Sequence, residues 1–238
     1  MSDKTYVIAD LHGRFDLLEI ALSKIEANAP GTIVFTGDYV DRGPQSREIV
    51  ERLMRGPIVA GWKWVCLKGN HEDMMRRAYG DPDDVEWWLE NGGDQTLASY
   101  GWREGEAAKP AGFVPQAHVD WIANLPLCHL DTYRIYVHAG LDHSRSLVGQ
   151  TAQILMWKRY LPQEVTEYQG RHVVHGHQAS PDGPELYSGR SNLDTAAFYT
   201  ARLVVGVFDD DKAGGPTSLI ECVVPEIESP ADGAHYSL

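Results

Sequence analysis

Five short apolar runs of the sequence each end in polar residues that can bind a metal ion. These residues are, in chain order, Asp10 and His12, Asp38, Asn70 and His71, His138, and His175 and His177. A short apolar run bounded by turn residues is typical of a buried strand. Ligands of open α/β sheets gather outside the carboxyl ends of the strands. The pattern therefore predicts that these side chains meet at one edge of a sheet.

Helical periodicity lies between the first three runs. Leu18, Leu22 and Ile25 have helical spacing after the first strand, and Pro30 ends that helix. The next predicted elements are a strand over 32–36, a helix after Pro44, a strand over 62–67 and a helix over 72–79. This alternation of strands and helices predicts parallel strands with right-handed crossovers.

The second half of the chain predicts an irregular segment and then further strands. Residues 80–113 are rich in turn formers and acidic groups and contain Trp87 and Trp88, which indicates an irregular helical insertion near the site. Two interpretations of this insertion remain: a surface excursion and a lid that contacts substrate. The remaining predicted elements are a helix within VPQAHVDWIANL, two antiparallel strands joined at 131–133, and strands over 172–175, 202–208 and 217–224. We expect one domain over 1–224 and a loose tail over 225–238.

Composition narrows the class of protein. A length of 238 residues with 43% hydrophobic residues fits one large α/β domain. The net charge of −13 disfavours binding to long nucleic acid, although bound divalent cations would reverse the charge locally. The irregular spacing of Cys66, Cys128 and Cys222 indicates reduced core residues. We expect no membrane association and a cytoplasmic location, because no apolar run is long enough for a signal peptide or a membrane span.

The chemistry of the five segments depends on their joint occurrence. An isolated Asp-x-His or His-Gly-His is common, and GDYVDRG alone is also typical of a strand-to-helix turn. Together the segments offer a mixed oxygen and nitrogen ligand set, which suits Mn, Fe or Zn better than the all-oxygen shells of Ca and Mg. We therefore expect two divalent ions, with Mn preferred and Fe, Zn or Mg as alternatives.

The same segments resemble those of a known enzyme family. D-x-H, G-D-x-x-D-R-G, G-N-H-E, H-A-G and G-H, from Asp10 to His177, are similar to the motifs of calcineurin-like metallophosphoesterases of the PPP serine/threonine phosphatase family. The resemblance spans residues 6 to about 207 and is greatest to the small bacterial and phage branch. Further similar segments are NGGDQTLASYG, LMWKRYL and NLDTAAFYTARL. The resemblance implies an α/β fold in which a β-sheet sandwich is flanked by helices, with a dimetal site at the carboxyl ends of the strands.

The resemblance also implies a ligand for each position of a two-metal site. Asp10 and His12 would hold the first ion, Asp38 would bridge both, and the second ion would be held by Asn70, His138 and His177. A hydroxide shared by two such ions would attack the phosphorus directly. In a strand His175 and His177 point to the same face, so either histidine suits coordination, and the resemblance selects His177.

Further residues would act on the phosphate and the leaving group. The resemblance implies that His71 is the general acid and that Asp41 orients its ring. Arg42 and Arg159 would bind the phosphoryl oxygens, with Lys158 and Arg171 as alternatives to Arg159.

Two departures from the family pattern concern substrate contacts. Lys68 stands where many relatives have arginine, and Ala196-Ala197-Phe198 stands where relatives often have small or glycine residues. We expect the second segment to shape the wall of the site.

The substrate is the least determined part of the expectation. The resemblance favours phosphoserine or phosphothreonine in proteins, because the nucleotide-hydrolysing branch commonly has aspartate at the position of Glu72 and because GDYVDRG supplies Asp41 as the partner of His71. A dinucleoside polyphosphate hydrolase is the alternative. A phosphatase of small phosphoesters or RNA ends and a non-catalytic metal-binding domain are further alternatives. The expected partners are thus a phosphorylated protein or a small phosphoester, and the oligomeric state is not indicated.

Overall fold

The structure is a computed structural model that describes residues 3–224. The described strands are β1 Lys4–Ile8, β2 Thr32–Phe35, β3 Lys63–Cys66, β4 Cys128–Leu130, β5 Arg134–Val137, β6 His172–His175, β7 Glu185–Leu186, β8 Arg190–Asn192, β9 Arg202–Asp209 and β10 Ser218–Val223. The described helices are α1 Phe15–Glu26, α2 Ser46–Arg55, α3 Asn70–Gly80, α4 Val85–Trp88, α5 Asp94–Ser99, α6 Gln116–Ala123, α7 Ala152–Trp157 and α8 Ala197–Thr200. The predicted tail over 225–238 lies outside the described residues.

The strands form two mixed sheets. The first has the order β10-β9-β1-β2-β3, and the second has the order β4-β5-β6-β8-β7. β1, β2 and β3 are parallel, as the helical crossovers predict, and so are β5, β6 and β8. The predicted antiparallel pairing of β4 with β5 is also confirmed.

The two sheets pack face to face, and helices cover the first sheet. In β1, Val7 belongs to the apolar cluster between the sheets, which also contains Val174 and Phe208. Its neighbours Tyr6 and Ile8 point the other way, into the core beneath the helices. This alternation follows from the two-residue period of a strand. The α/β sandwich flanked by helices is confirmed.

The segment over 80–113 is helical but discontinuous. Between α3 and α5 the chain forms a 3₁₀ turn at Pro82–Asp84, the single turn α4, and a π-helical turn at Leu89–Gly93. Gly92 breaks the helical backbone with a φ of 97°. The segment packs inward through Trp88, which is fully buried. None of the described helices is long and apolar enough to cross a membrane.

Candidate metal centre

The predicted ligands come from both sheets and meet at the carboxyl ends of the parallel strands. Asp10 and His12 follow β1, Asp38 follows β2, and Asn70 opens the helix after β3. The second sheet contributes His138 after β5 and His177 after β6. Five of the six line a cavity of about 200 Å³ together with His71, Arg42 and Arg159. The sixth, His138, is fully buried beneath it and contacts Asn70.

One half of the centre brings three electron-pair donors together. His138 Nε2 lies 2.8 Å from Asn70 Oδ1 and 3.2 Å from His177 Nδ1, and the last two atoms are 3.1 Å apart. His138 Nδ1 is 3.0 Å from the carbonyl oxygen of Thr36, so the ring proton lies on that side. The Nε2 lone pair of a neutral His138 then faces the amide oxygen. Such a facing pair of acceptors fits a bound cation.

The other half is arranged around His12 and Asp38. His12 Nδ1 lies 2.9 Å from the carbonyl oxygen of Val40, which directs Nε2 to within 3.5 Å of Asp38 Oδ2. His71 Nε2 lies 3.9 Å from the same oxygen. Asp38 is shared, because its Oδ1 is 3.4 Å from His138 Nε2. His12, Asp38 and His71 form one group of possible ligand atoms, and Asp38, His138 and His177 form the other.

Asp10 lines the same cavity as His12 and is held in place by the backbone of His177. Its oxygens lie 3.0 and 3.1 Å from the backbone nitrogen of His177, which donates to them. The carboxylate is buried and lines the cavity, but it belongs to neither group of converging ligand atoms. Burial raises the pKa of Asp10, and the charges of Asp194 and Asp38 raise it further. A nearby cation would offset that repulsion.

The protonation states suit metal binding. Burial lowers the pKa of His12 and His138, and it lowers that of His177 to about 3. Burial opposes ionisation of Asp38, but positive charge on the surrounding histidines outweighs it and lowers the pKa of that carboxyl, and among them His71 has a raised pKa of its own. Neutral imidazoles and an ionised carboxylate are the forms that coordinate metals. The residues present therefore fit a pair of divalent ions.

His71 and Asp41 form a buried pair. His71 Nδ1 lies 2.7 Å from Asp41 Oδ2, and His71 Nε2 faces the cavity. Burial alone would lower the pKa of His71, but the carboxylates of Asp38 and Asp41 raise it. The pair has the geometry expected of an oriented proton donor.

The basic side chains near the cavity differ in whether they line it. Arg42 and Arg159 are exposed and line the cavity. Guanidinium nitrogens of Arg42 lie 2.9 Å from His12 Nε2 and 3.0 Å from His71 Nε2. Lys158 instead pairs with Glu164 at 2.9 Å, and neither Lys158 nor Arg171 lines the cavity.

His175 lies away from the ligands. Its Nε2 lies 3.2 Å from an Arg190 guanidinium nitrogen, and the ring is fully buried beside Tyr160. β6 ends at His175, and His177 has a φ of 67°. The alternation of a strand therefore does not extend to His177, which is why the two rings occupy different places.

The backbone of the site is unusual. Several non-glycine residues around the cavity have a positive φ, in the left-handed region of backbone conformation. Five of them line the cavity, namely Asp10, His12, Asp38, Arg42 and His177, and a sixth, Asp41, lies behind it. Such conformations are costly and concentrate at functional sites. Two glycines permit the close approach of ligands. A β-carbon on Gly69 would lie 2.1 Å from Asp38 Oδ1, and one on Gly176 would lie 1.7 Å from Asp10 Oδ2.

Sequence reasoning missed three buried residues that support the site. Trp88 and Thr96 contact Asp41, and nothing in their local sequence separates them from core residues. Asp194 lines the cavity, and burial raises its pKa to about 6. Its only signal was its place in NLDTAAFYTARL.

The residues considered for substrate contact have three different environments. Glu72 is fully buried and accepts hydrogen bonds from the backbone N–H groups of residues 38–40 and 69. It therefore fixes the loop after β2 rather than lining the cavity. Lys68 donates to the carbonyl of Ala123 at 2.7 Å and does not line the cavity. Phe198 packs beside the cavity-lining residues Arg42 and His12. Asn91 brings the segment over 80–113 into the cavity wall.

Comparison with known proteins places this geometry in a family. The model of the calcineurin-like phosphoesterase family matches residues 4–206. Serine/threonine-protein phosphatase 2 of Escherichia coli (strain K12) is 34% identical over 90 residues, which are 37% of this chain and 38% of that protein. The symmetrical bis(5'-nucleosyl)-tetraphosphatase of Neisseria meningitidis is 27% identical over 170 residues, 66% of this chain and 52% of the relative. The matches thus span only part of these relatives.

A solved structure supports the fold. A protein serine/threonine phosphatase from Saccharomyces cerevisiae superposes with a TM-score of 0.62 at 20% identity, covering 97% of this chain and 82% of that one. The resemblance inferred from the motifs is confirmed, and the family is hydrolytic. The chain belongs to the calcineurin-like phosphoesterase family.

Proposed function

We propose that the chain is a metal-dependent phosphomonoesterase that removes phosphate from phosphoserine and phosphothreonine in proteins. The observation that carries this proposal is the convergence of Asp38 with His12 on one side and with His138 and His177 on the other. Two arginines and a carboxylate-paired histidine border the same cavity.

Each residue has a task in such a reaction. Asp38 would contact both ions, His12 and Asp10 would belong to the first, and Asn70, His138 and His177 would hold the second. Bound divalent ions would supply an activated water and neutralise charge on the phosphoryl group. The absence of a thiolate from the ligand set favours Mn over Zn.

The other side chains bind and protonate. Arg42 and Arg159 would donate to the phosphoryl oxygens, for which a planar guanidinium offers two parallel hydrogen bonds. Asp41 would fix the ring of His71 through Nδ1, so that Nε2 delivers a proton to the departing oxygen.

A dinucleoside polyphosphate hydrolase is the second candidate. The similarity to the Neisseria meningitidis tetraphosphatase covers 66% of this chain, more than the 37% covered by the Escherichia coli phosphatase. GDYVDRG remains in favour of the protein phosphatase. The argument from Glu72 weakens, because that side chain makes no contact with the cavity.

A cytoplasmic location stays a prediction.

A side-by-side assay tests the proposal. The chelated protein is reconstituted with Mn²⁺ and given phosphoserine and phosphothreonine peptides, diadenosine tetraphosphate and an aryl phosphate. We expect metal-dependent turnover and a higher kcat/KM on the peptides. The reverse ranking would select the nucleotide hydrolase, and undiminished turnover after confirmed metal removal would reject a metal-dependent reaction.

A further inference from the structure

The carboxylate of Asp41 is enclosed by donors from the segment over 80–113. Trp88 Nε1 lies 3.0 Å from each of its oxygens, and Thr96 Oγ1 lies 2.7 Å from Oδ1. Oδ2 also lies 2.7 Å from His71 Nδ1, so the histidine and Trp88 share this oxygen. Asp41 is fully buried, so these side chains take the place of water. The carboxylate of Asp41 therefore accepts hydrogen bonds from two side chains of this segment in addition to its contact with His71.

The same segment also fixes the backbone of Asp41 and its neighbour. The backbone nitrogen of Asp41 donates to Thr96 Oγ1 at 2.8 Å, and that of Arg42 donates to the carbonyl of Gly92 at 3.1 Å. Both residues have a positive φ, 72° and 68°. A left-handed conformation at two adjacent non-glycine residues persists only when the surroundings determine it. Thr96 therefore holds Asp41 at both its backbone and its side chain.

A purely structural role is the competing explanation. Trp88 is fully buried in the main core and would anchor the segment even without its N–H group. Burial of an indole N–H does not require a carboxylate partner, however, because Trp64 Nε1 is buried without any hydrogen-bond partner among the described residues. The direction of the Trp88 N–H and the double contact of Thr96 point to a specific task.

We propose that Trp88 and Thr96 are positioning residues, which hold Asp41 so that His71 presents Nε2 to the leaving group. This inference rests on the proposed function for its kinetic consequence only. Neither residue lines the cavity, so both act through Asp41. The segment over 80–113 is then part of the catalytic architecture as well as of the cavity wall.

Two hydroxyl variants and an indole variant test the inference. Thr96→Val removes a donor to Asp41 with little change of shape, and Thr96→Ser keeps the hydroxyl. Trp88→Phe removes the indole N–H and also leaves a cavity in the core, so Thr96→Val is the decisive variant. We expect Thr96→Val and Trp88→Phe to lower kcat on an alkyl phosphate roughly 10- to 100-fold, as outer hydrogen-bond partners of a site typically do. KM should not change, and an aryl phosphate should lose less because its leaving group needs little protonation. Thr96→Ser should restore most of the rate.

Matched controls lie in the same segment. Ser99→Ala removes a hydroxyl that donates to the carbonyl of Thr96, and Trp102→Phe removes an indole N–H that does not face Asp41. Both controls should retain the alkyl-to-aryl rate ratio of the unmodified protein. Equal losses on both esters in Thr96→Val, or no rescue by Thr96→Ser, would overturn the inference in favour of a structural role.

A measurement without turnover separates this inference from the proposed function. In metal-free protein labelled with ¹⁵N-histidine, the Nδ1–H signal of His71 should shift in Thr96→Val and Trp88→Phe and stay in place in the two controls. Unshifted signals overturn the positioning role even if the unmodified protein hydrolyses phosphate. A shifted signal in a protein without phosphatase activity would retain the positioning of His71 and reject the reaction.

Discussion

Asp38 contacts both halves of the candidate centre. Oδ2 faces His12 at 3.5 Å, and Oδ1 faces His138 at 3.4 Å. Oδ1 also accepts the backbone N–H of His71 at 3.1 Å, which fixes the carboxylate. We therefore expect Asp38 to be the ligand that the two proposed ions share.

We expect Asp38→Asn to lose more metal than any variant of a terminal ligand, because an amide offers one weaker oxygen in place of two charged ones. Metal content of purified Asp38→Asn, His12→Asn and His177→Asn, measured against the unmodified protein, checks this order. Two equivalents retained by Asp38→Asn would mean that Asp38 does not bridge.

His71 lies in the same group of converging atoms as His12 and Asp38, so its role needs a direct test. As a proton donor, His71→Asn should keep both metals and lower kcat by roughly 10²–10⁴-fold. The loss should be smaller for an aryl than for an alkyl phosphate. Loss of one metal equivalent would instead identify His71 as a ligand.

Arg42→Lys and Arg159→Lys should both lower kcat/KM with the metals still bound, because an ammonium lacks the planar fork of a guanidinium. Lys158→Arg provides the control, since Lys158 pairs with Glu164 away from the cavity. Unchanged kinetics in Arg159→Lys would leave Arg42 as the sole phosphate clamp.

At the scale of elements, the turns after the strands are packed tightly around the ligands. Gly69, at the entry to α3, lies so close to Asp38 that any β-carbon would collide with it, whereas Gly80 at the end of the same helix has open space around it. The two glycines therefore form a matched pair.

Gly69→Ala should lower the free energy of unfolding by about 1–3 kcal/mol, the usual cost of overpacking, and it should weaken metal binding. Gly80→Ala should leave stability within about 1 kcal/mol or raise it slightly. Urea unfolding of the two variants measures the difference. Equal stabilities would show that the turn adjusts without cost.

The sequence predicts the elements that contain a run of apolar residues. The β1, β2, β3, β5 and β6 strands and the residues after them belong to this class. β8 was missed, because its Arg190 is buried between Tyr160 and Tyr187 and carries no apolar signal. Trp88 and Thr96 meet Asp41 across 47 and 55 positions of sequence. No local pattern reports such a contact, so the support of Asp41 could be found only in three dimensions.

At the scale of the whole molecule, the candidate centre lies where the two sheets meet. The first sheet supplies Asp10, His12, Asp38 and Asn70, and the second supplies His138 and His177. A cation held by both groups would link the sheets. Metal binding should therefore contribute to stability as well as to turnover.

We expect chelation to lower the unfolding temperature. A ligand at about 100 times its Kd stabilises the folded state by about 2.7 kcal/mol, which corresponds to roughly 5–10 °C for a domain of this size. Calorimetry with and without Mn²⁺ measures the shift, and Asp38→Asn should show a smaller one. A metal-independent unfolding temperature in the unmodified protein would reject ions that link the sheets.

The segment over 80–113 has two structural roles, which limits how the protein can be re-engineered. Asn91 belongs to the cavity wall, while Trp88 and Thr96 of the same segment hold Asp41. A loop graft from a relative would change this part of the cavity wall and would also remove the hydrogen bonds to Asp41 behind His71. We therefore expect point changes at Asn91 to alter the cavity wall without loss of the hydrogen bonds to Asp41, whereas exchange of the whole segment should remove both.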